Sequence, residues 1–183
     1  MLIFISGGVR SGKSSLGEKI ASQLASQRKV YLATAKPYDA EIKKRISKHQ
    51  FDRKDKGFFT IEKSEALEEI VPMLKKHDTI LLDCLGALLS NEMYANLNQS
   101  LNDYFINKVQ NSILNSIILI NSKVSNIIVI SNEIFSDGIL YDPSIKAYIE
   151  VLGKLHQEIA NIADNVIECS FGNNIIHKGD LLI

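Results

Sequence analysis

The chain has 183 residues, 45% of them hydrophobic and 23% charged, and its 21 basic side chains are matched by 21 acidic ones. Length and composition fit one globular domain that buries its apolar surface without disulfide staples, and they exclude a disordered tail. A net charge of zero argues against a dedicated nucleic-acid binder, though not against a local basic site.

Short apolar runs alternate along the chain with longer stretches of helical period. Strands are expected at Leu2 to Ile5, Val30 to Ala33, Phe58 to Ile61, Thr79 to Leu82, Ile127 to Ile130 and Val166 to Cys169. Helices are expected from Ser14 to Ser26, Asp39 to Phe51, Tyr94 to Lys123 and Pro143 to Ala163, with Pro143 suited to a first turn. A last short hairpin strand is expected at Ile175 to His177. Strands alternating with helices predict βαβ units in a single α/β domain over residues 1–183: a mostly parallel sheet flanked by helices on both faces. The unbroken apolar character of the strands agrees, since both faces of such a sheet are buried.

No run approaches the roughly 18 consecutive apolar residues of a membrane span, so no membrane insertion is expected. The apolar start Met1 to Ile5 lacks a basic flank and reads as part of the fold rather than as a leader. Cys84 and Cys169 sit inside apolar runs, as reduced thiols of a cytoplasmic protein do.

Gly7-Gly8-Val9-Arg10-Ser11-Gly12-Lys13-Ser14 satisfies G-x-x-x-x-G-K-[ST] between the first strand and the first helix. Glycines let successive backbone N–H groups converge on phosphate oxygens, and the helix N-terminus adds its dipole there. Lys13 supplies a mobile charge for the β and γ phosphates, and the Ser14 hydroxyl is suited to ligate Mg²⁺. Asp83 closes the fourth strand, where it can take the metal side of the site in the manner of a Walker B carboxylate. Nucleoside triphosphate and Mg²⁺ binding are therefore expected.

Of the four histidines, His77, His156 and His177 read as structural. His49 differs because it ends a helix carrying Lys43, Lys44, Arg45 and Lys48 and precedes Arg53. A neutral imidazole is a competent nucleophile near pH 7, and surrounding cations favour its unprotonated form. A charge run by itself is most simply a solvated helix face.

Five blocks resemble the bifunctional adenosylcobinamide kinase / adenosylcobinamide-phosphate guanylyltransferase family of cobalamin biosynthesis. The P-loop has the form G-G-x-R-S-G-K-S, and Tyr31-Leu32-Ala33-Thr34-Ala35 is similar to Y-[IL]-A-T-[AS]. Glu41, Arg45-Ile46, His49 and Arg53 match E-M-x-x-R-I-x-x-H-x-x-x-R. Phe58 to Glu62 resembles W-x-T-x-E, and Leu82-Asp83-Cys84-Leu85 with Leu89-Ser90-Asn91 resembles L-D-C-L-T-x-W-L-S-N. Ser131-Asn132-Glu133 is similar to T-N-E.

The resemblance implies a RecA-like P-loop NTPase fold and GTP and ATP as substrates. It implies a guanylylated histidine at His49 and transfer of GMP to adenosylcobinamide phosphate. Gly7 to Ser14, Ala33, Thr34, Ala35, Gln50, Phe51, Asp52, Arg53, Glu62 and Asp83 are the implied nucleotide contacts, and a homotrimer is the implied assembly. The chain departs from the family after Glu133, where V-G-x-G-I-V-P becomes Ile134-Phe135-Ser136-Asp137-Gly138-Ile139-Leu140. It departs again where R-x-x-R-x-x-x-G-R-x-N-Q becomes Lys146, Ile149 and Gly153-Lys154-Leu155-His156-Gln157, and where Gly86 replaces threonine. Lysine does not reproduce the bidentate phosphate grip of arginine. A P-loop kinase of another small metabolite, or a nucleotide-sensing module without corrinoid transfer, are the alternatives.

The zero net charge is a cancellation. Residues 1–63 hold 14 basic and 6 acidic side chains, against 7 and 15 in residues 64–183. The positive third carries the P-loop, His49 and Arg53, where a triphosphate would be held.

Overall fold

A computed structural model of the chain describes residues 1–37, 47, 54–95, 101–135 and 141–180. Seven strands form one sheet: β1 (Leu2–Gly7), β2 (Lys29–Ala33), β3 (Phe58–Glu62), β4 (Thr79–Asp83), β5 (Asn126–Asn132), β6 (Asn165–Ser170) and β7 (Asn173–Lys178). The order across the sheet is β3-β2-β4-β5-β1-β6-β7. The first six strands pair in parallel, and β7 turns back antiparallel on β6 at the edge.

Four α-helices are described: α1 (Lys13–Leu24), α2 (Leu85–Tyr94), α3 (Asp103–Lys123) and α4 (Pro143–Ile162). Side chains of a strand alternate between faces, and the sheet divides its apolar residues accordingly. Ile3, Ile5, Leu81, Ile128 and Ile130 face Leu16, Ile20 and Ala21 of α1. On the other face Leu2, Phe4, Leu82, Ile127 and Val129 share a core with α2, α3 and α4. The central strands are buried on both sides, which is why they read as unbroken apolar runs.

The strand expectations and the closing hairpin hold. The long expected helix from Tyr94 to Lys123 does not: Tyr94 ends α2, and α3 begins only after Asn102, whose side chain accepts from Phe105 N at 2.9 Å. The apolar stretch from Leu85 to Leu89 thus belongs to a helix that follows β4 at once, with no glycine or proline run to announce the change. The expected helix over 39–51 lies outside the described residues, save Ser47, which is helical and exposed.

Opposite the P-loop end, Asp78 is buried and ties three segments together. Arg28 grips it with Nε and Nη2 and also donates to the Met73 carbonyl. Burial works against the charged carboxylate, but Arg28 and the Lys75 N–H outweigh it and hold the carboxyl below its ordinary range. The starts of β2 and β4 are tied there, and at their other ends Ala33 and Asp83 are in register.

Candidate active site

The site is built where β1 runs out. Gly7 pairs with Asn132 on one side and Cys169 on the other. A Cβ on Gly7 would fall 2.4 Å from the Cys169 carbonyl oxygen and 2.7 Å from Ser11 Oγ, so only glycine lets the loop pass. Ser11 N donates to the Gly8 carbonyl at 3.2 Å, Arg10 takes a left-handed φ of 62°, and Gly12 begins α1 at φ 95°. Gly12 offers no side-chain cap, which leaves first-turn N–H groups of α1 to an anion. Val9 and Arg10 are exposed on the outer side of the loop.

Lys13 is buried at 7% exposure, and its Nζ donates to the Gly8 carbonyl at 2.9 Å, curled back over its own loop. Burial pulls the ammonium below the ordinary lysine value, and nearby Cys84 and Asp83 offset part of that pull. Phosphate oxygens would restore to this cation what burial removes. Ser14 follows it, partly exposed, in the first turn.

Asp83 stands at the end of β4, two strands from β1, in register with Ala33 and Ile130. Tyr31 donates to Asp83 Oδ2 at 2.8 Å and so orients the carboxylate. Thr34, fully buried, donates through Oγ1 to the Cys84 carbonyl at 2.7 Å and accepts from Cys84 N at 2.8 Å. Its hydroxyl is therefore committed to the backbone of the Asp83–Cys84 turn, whose peptide bond is cis. Ala33 is half-buried and Ala35 exposed beside it, and Glu62 is exposed at the end of β3. Asn91 of α2 staples these ends, donating to the Thr34 carbonyl at 2.7 Å and the Ser64 carbonyl at 3.1 Å.

The P-loop, Asp83, Ala33 to Ala35 and Glu62 thus lie along one edge of the sheet, at the C-terminal strand ends where open α/β sheets take ligands. His49, Gln50, Phe51, Asp52 and Arg53 lie outside the described residues. Just beyond them, Lys56 pairs with Glu18 of α1 at 2.5 Å, which anchors the returning chain to the P-loop helix. The Mg²⁺ implied by this loop finds suitable groups: a hydroxyl at Ser14, a carboxylate at Asp83, and a buried Ser11 Oγ with no partner among the described residues. Among those residues no group of three or more His, Cys, Asp or Glu side chains that could hold a metal ion occurs.

Several residues at the site carried no assigned role in the sequence. Tyr31 lies two residues before Ala33 on the face that meets Asp83, a diagonal pairing that strand register could have revealed. Glu133 N donates to the Gly7 carbonyl at 2.9 Å. His156, read as structural, binds Ser131 Oγ through Nε2 at 2.7 Å, and burial pulls its ring down to about 4. His177 pairs with Glu168 at 2.8 Å on the surface, and His77 is exposed in a turn. Lys146 and Lys154 of α4 are exposed. A cavity of about 330 Å³ between α2 and α4 is lined by Ser90, Tyr94, Ser144, Ile145 and Tyr148. Its phenols are spent on the Ser144 and Gly86 carbonyls, and burial pushes Tyr148 up to about 12, so it offers apolar surface rather than an acid or base. The Tyr148 hydroxyl would lie 2.9 Å from a Cβ at Gly86, which explains the missing side chain there.

Residues 3–176 match the CobU family, described as cobinamide kinase / cobinamide phosphate guanyltransferase. The bifunctional adenosylcobalamin biosynthesis protein CobP of Pseudomonas aeruginosa is 28% identical over 179 residues, covering 97% of this chain and 98% of its own. The corresponding CobU protein of Escherichia coli is 23% identical over 172 residues, covering 91% and 93%. A type III secretion ATPase superposes with a TM-score of 0.54 at 17% identity, covering 93% of this chain and 51% of its own, a likeness of RecA-like P-loop fold. No described helix is long and apolar enough to cross a membrane. With its P-loop, its strand-end carboxylate and a match over nearly its whole length, the chain belongs to the cobinamide kinase / cobinamide phosphate guanyltransferase family and is a transferase of cobalamin biosynthesis.

Proposed function

We propose that this chain phosphorylates adenosylcobinamide with a nucleoside triphosphate and then transfers GMP from GTP to the product through guanylylated His49. The observation that carries the reading is the buried Lys13 beside Asp83 at the sheet edge, in a chain of this family. In the first step the aminopropanol hydroxyl oxygen attacks the γ phosphorus, its bond to the β-phosphate oxygen breaks, and the hydroxyl proton departs to solvent. Loop N–H groups and Lys13 hold the phosphates and take up their charge, so catalysis is positioning and electrostatics. Mg²⁺, held by Ser14 and Asp83, would neutralise charge on the β and γ oxygens.

In the second step a neutral His49 nitrogen attacks the α phosphorus of GTP, an N–P bond forms and pyrophosphate leaves. A phosphate oxygen of cobinamide phosphate then attacks the same phosphorus, the N–P bond breaks and the imidazole is freed. Covalent storage divides one difficult displacement into two easier ones. Arg45, Lys48 and Arg53 belong to the same basic third of the sequence and would stabilise charge in both halves.

Intact mass measured after incubation with GTP and Mg²⁺ tests the reading. A GMP adduct is expected on the wild type and none on His49→Ala, which should still bind nucleotide. Wild-type protein left unmodified at saturating GTP would sink the transfer step.

A further inference from the structure

The C-terminal end of β5 lies beside the P-loop and is held by groups the chemistry above does not use. Ser131 is wholly buried, pairs with Ser6 of β1, and shares its hydroxyl with His156 Nε2 at 2.7 Å. The imidazole packs edge-on between Phe4 of β1, at 5.0 Å, and Phe135, at 5.2 Å. Phe135 also closes over Gly153, one turn earlier on α4, with ring carbon Cε1 3.5 Å from where a Cβ would stand. Between these two anchors run Asn132 and Glu133. Asn132 is paired with Gly7, Glu133 N donates to the Gly7 carbonyl at 2.9 Å, and Glu133 Oε1 accepts from Phe135 N at 2.8 Å.

We propose that His156 is a positioning residue for the nucleotide site, its ring fixing Ser131 and Phe135 so that Asn132 and Glu133 meet the P-loop in a single register. Two kinds of contact divide the work. The hydrogen bond fixes the strand end from below, and the two aromatic edges fix the chain as it leaves the strand. A neutral ring suits both, because a cation wedged between apolar rings and a serine would be uncompensated. The ring is neutral throughout the physiological range, so the device is a constant brace rather than a switch. A bonded pair of this kind acts on Lys13 and the loop only through Gly7, which makes turnover, rather than affinity, the sensitive quantity: small displacements of reacting groups cost more in rate than in binding.

Side-chain reach separates the two contacts. In His156→Phe the ring packing survives and the hydrogen bond is lost. In His156→Gln the terminal amide reaches the position of Nε2, whereas the packing is reduced. Ser131→Ala removes the same bond from the other side and guards against misfolding of the Phe variant. The full chain is assayed for phosphoryl transfer to cobinamide, for nucleotide affinity, and for amide hydrogen exchange over residues 132–135. His156→Phe and Ser131→Ala should each lower kcat by about tenfold or more with KM for nucleotide within about twofold, and should speed exchange at Glu133 by about tenfold. His156→Gln should recover kcat to within about threefold of wild type. Wild-type exchange at Glu133 in both the Phe and Ala variants overturns the proposal whatever turnover does, and so does a Gln variant no better than Phe. The kinetic readout rests on the function proposed above, and the exchange readout does not. A wild type that binds nucleotide but phosphorylates no corrinoid therefore refutes that function while leaving His156 to be judged by exchange.

Discussion

Asp83 has one oxygen committed and one available. Tyr31 donates to Oδ2, and no described residue hydrogen-bonds Oδ1, while Lys13 is close enough for the carboxylate to raise its pKa. Replacing Asp83 with Asn keeps an acceptor for Tyr31 and removes only the charge. The strand end should therefore survive, with Tm changed by less than about 3 °C, the equivalent of roughly 1 kcal/mol in a chain of this size. On the function proposed above, Mg²⁺-dependent phosphoryl transfer should fall by about a hundredfold, because the ammonium loses a counter-charge and so would a metal held there. Unchanged turnover in Asp83→Asn would remove Asp83 from the site. At this scale the sequence was legible where the candidate site is contiguous: residues 7–14 form one loop between β1 and α1, so a local pattern picks it out. Tyr31 and Asp83 are separated by 52 positions, Asn91 and Thr34 by 57, and His156 and Ser131 by 25. Such pairs exist only after the sheet has set its register, and no local pattern encodes them.

Elements position that loop by how closely they pack. α1 carries Gly17 one turn beyond Lys13, and a Cβ there would come within 2.8 Å of Leu81 Cδ1 and 2.9 Å of Ile130 Cδ1. The helix lies low across β4 and β5 at this point, and an added methyl would have to displace the buried tips of Leu81 and Ile130. In an exposed helix Gly→Ala gains about 1 kcal/mol from helix propensity. Overpacking costs about 1–3 kcal/mol, so Gly17→Ala should be net destabilising, with a Tm lowered by a few degrees. Because α1 begins at the P-loop, the same lift should weaken nucleotide binding several-fold, measurable by titration. A Gly17→Ala protein that melts higher than wild type and binds nucleotide normally would show that α1 is not held by this contact. Elements were legible from the sequence when their ends were marked, as by Pro143 in the first turn of α4; the structure adds Asp142, which caps Ser144 N and Ile145 N. The boundary between β4 and α2 was not, because an apolar run serves a buried strand and a buried helix equally well. Its turn is braced by Thr34, the residue after β2, which sequence order cannot show.

For the whole molecule, sheet order decides what the charge distribution can do. Residues 1–63 contribute β1, α1, β2 and β3, and with them an excess of eight positive charges, while residues 64–183 carry the compensating negative excess. The order β3-β2-β4-β5-β1 separates the basic strands by β4 and β5, yet leaves all their C-terminal ends on one edge. On the function proposed above, a tetra-anionic nucleotide would meet buried Lys13 and exposed Arg10 at that edge, while the molecule as a whole stays neutral and has no general attraction for polyanions. Attraction of this sort is screened over about 10 Å at 0.1 M salt and about 3 Å at 1 M. Raising KCl from about 0.05 to about 0.5 M, which shortens the screening length about threefold, should therefore slow nucleotide association by roughly tenfold. Dissociation depends on contacts within the loop and should change much less. Stopped-flow binding at several salt concentrations separates the two rates. An association rate indifferent to salt would mean that the basic third is spent on internal ion pairs, as Lys56 is on Glu18, and that the P-loop captures its ligand by local contacts alone.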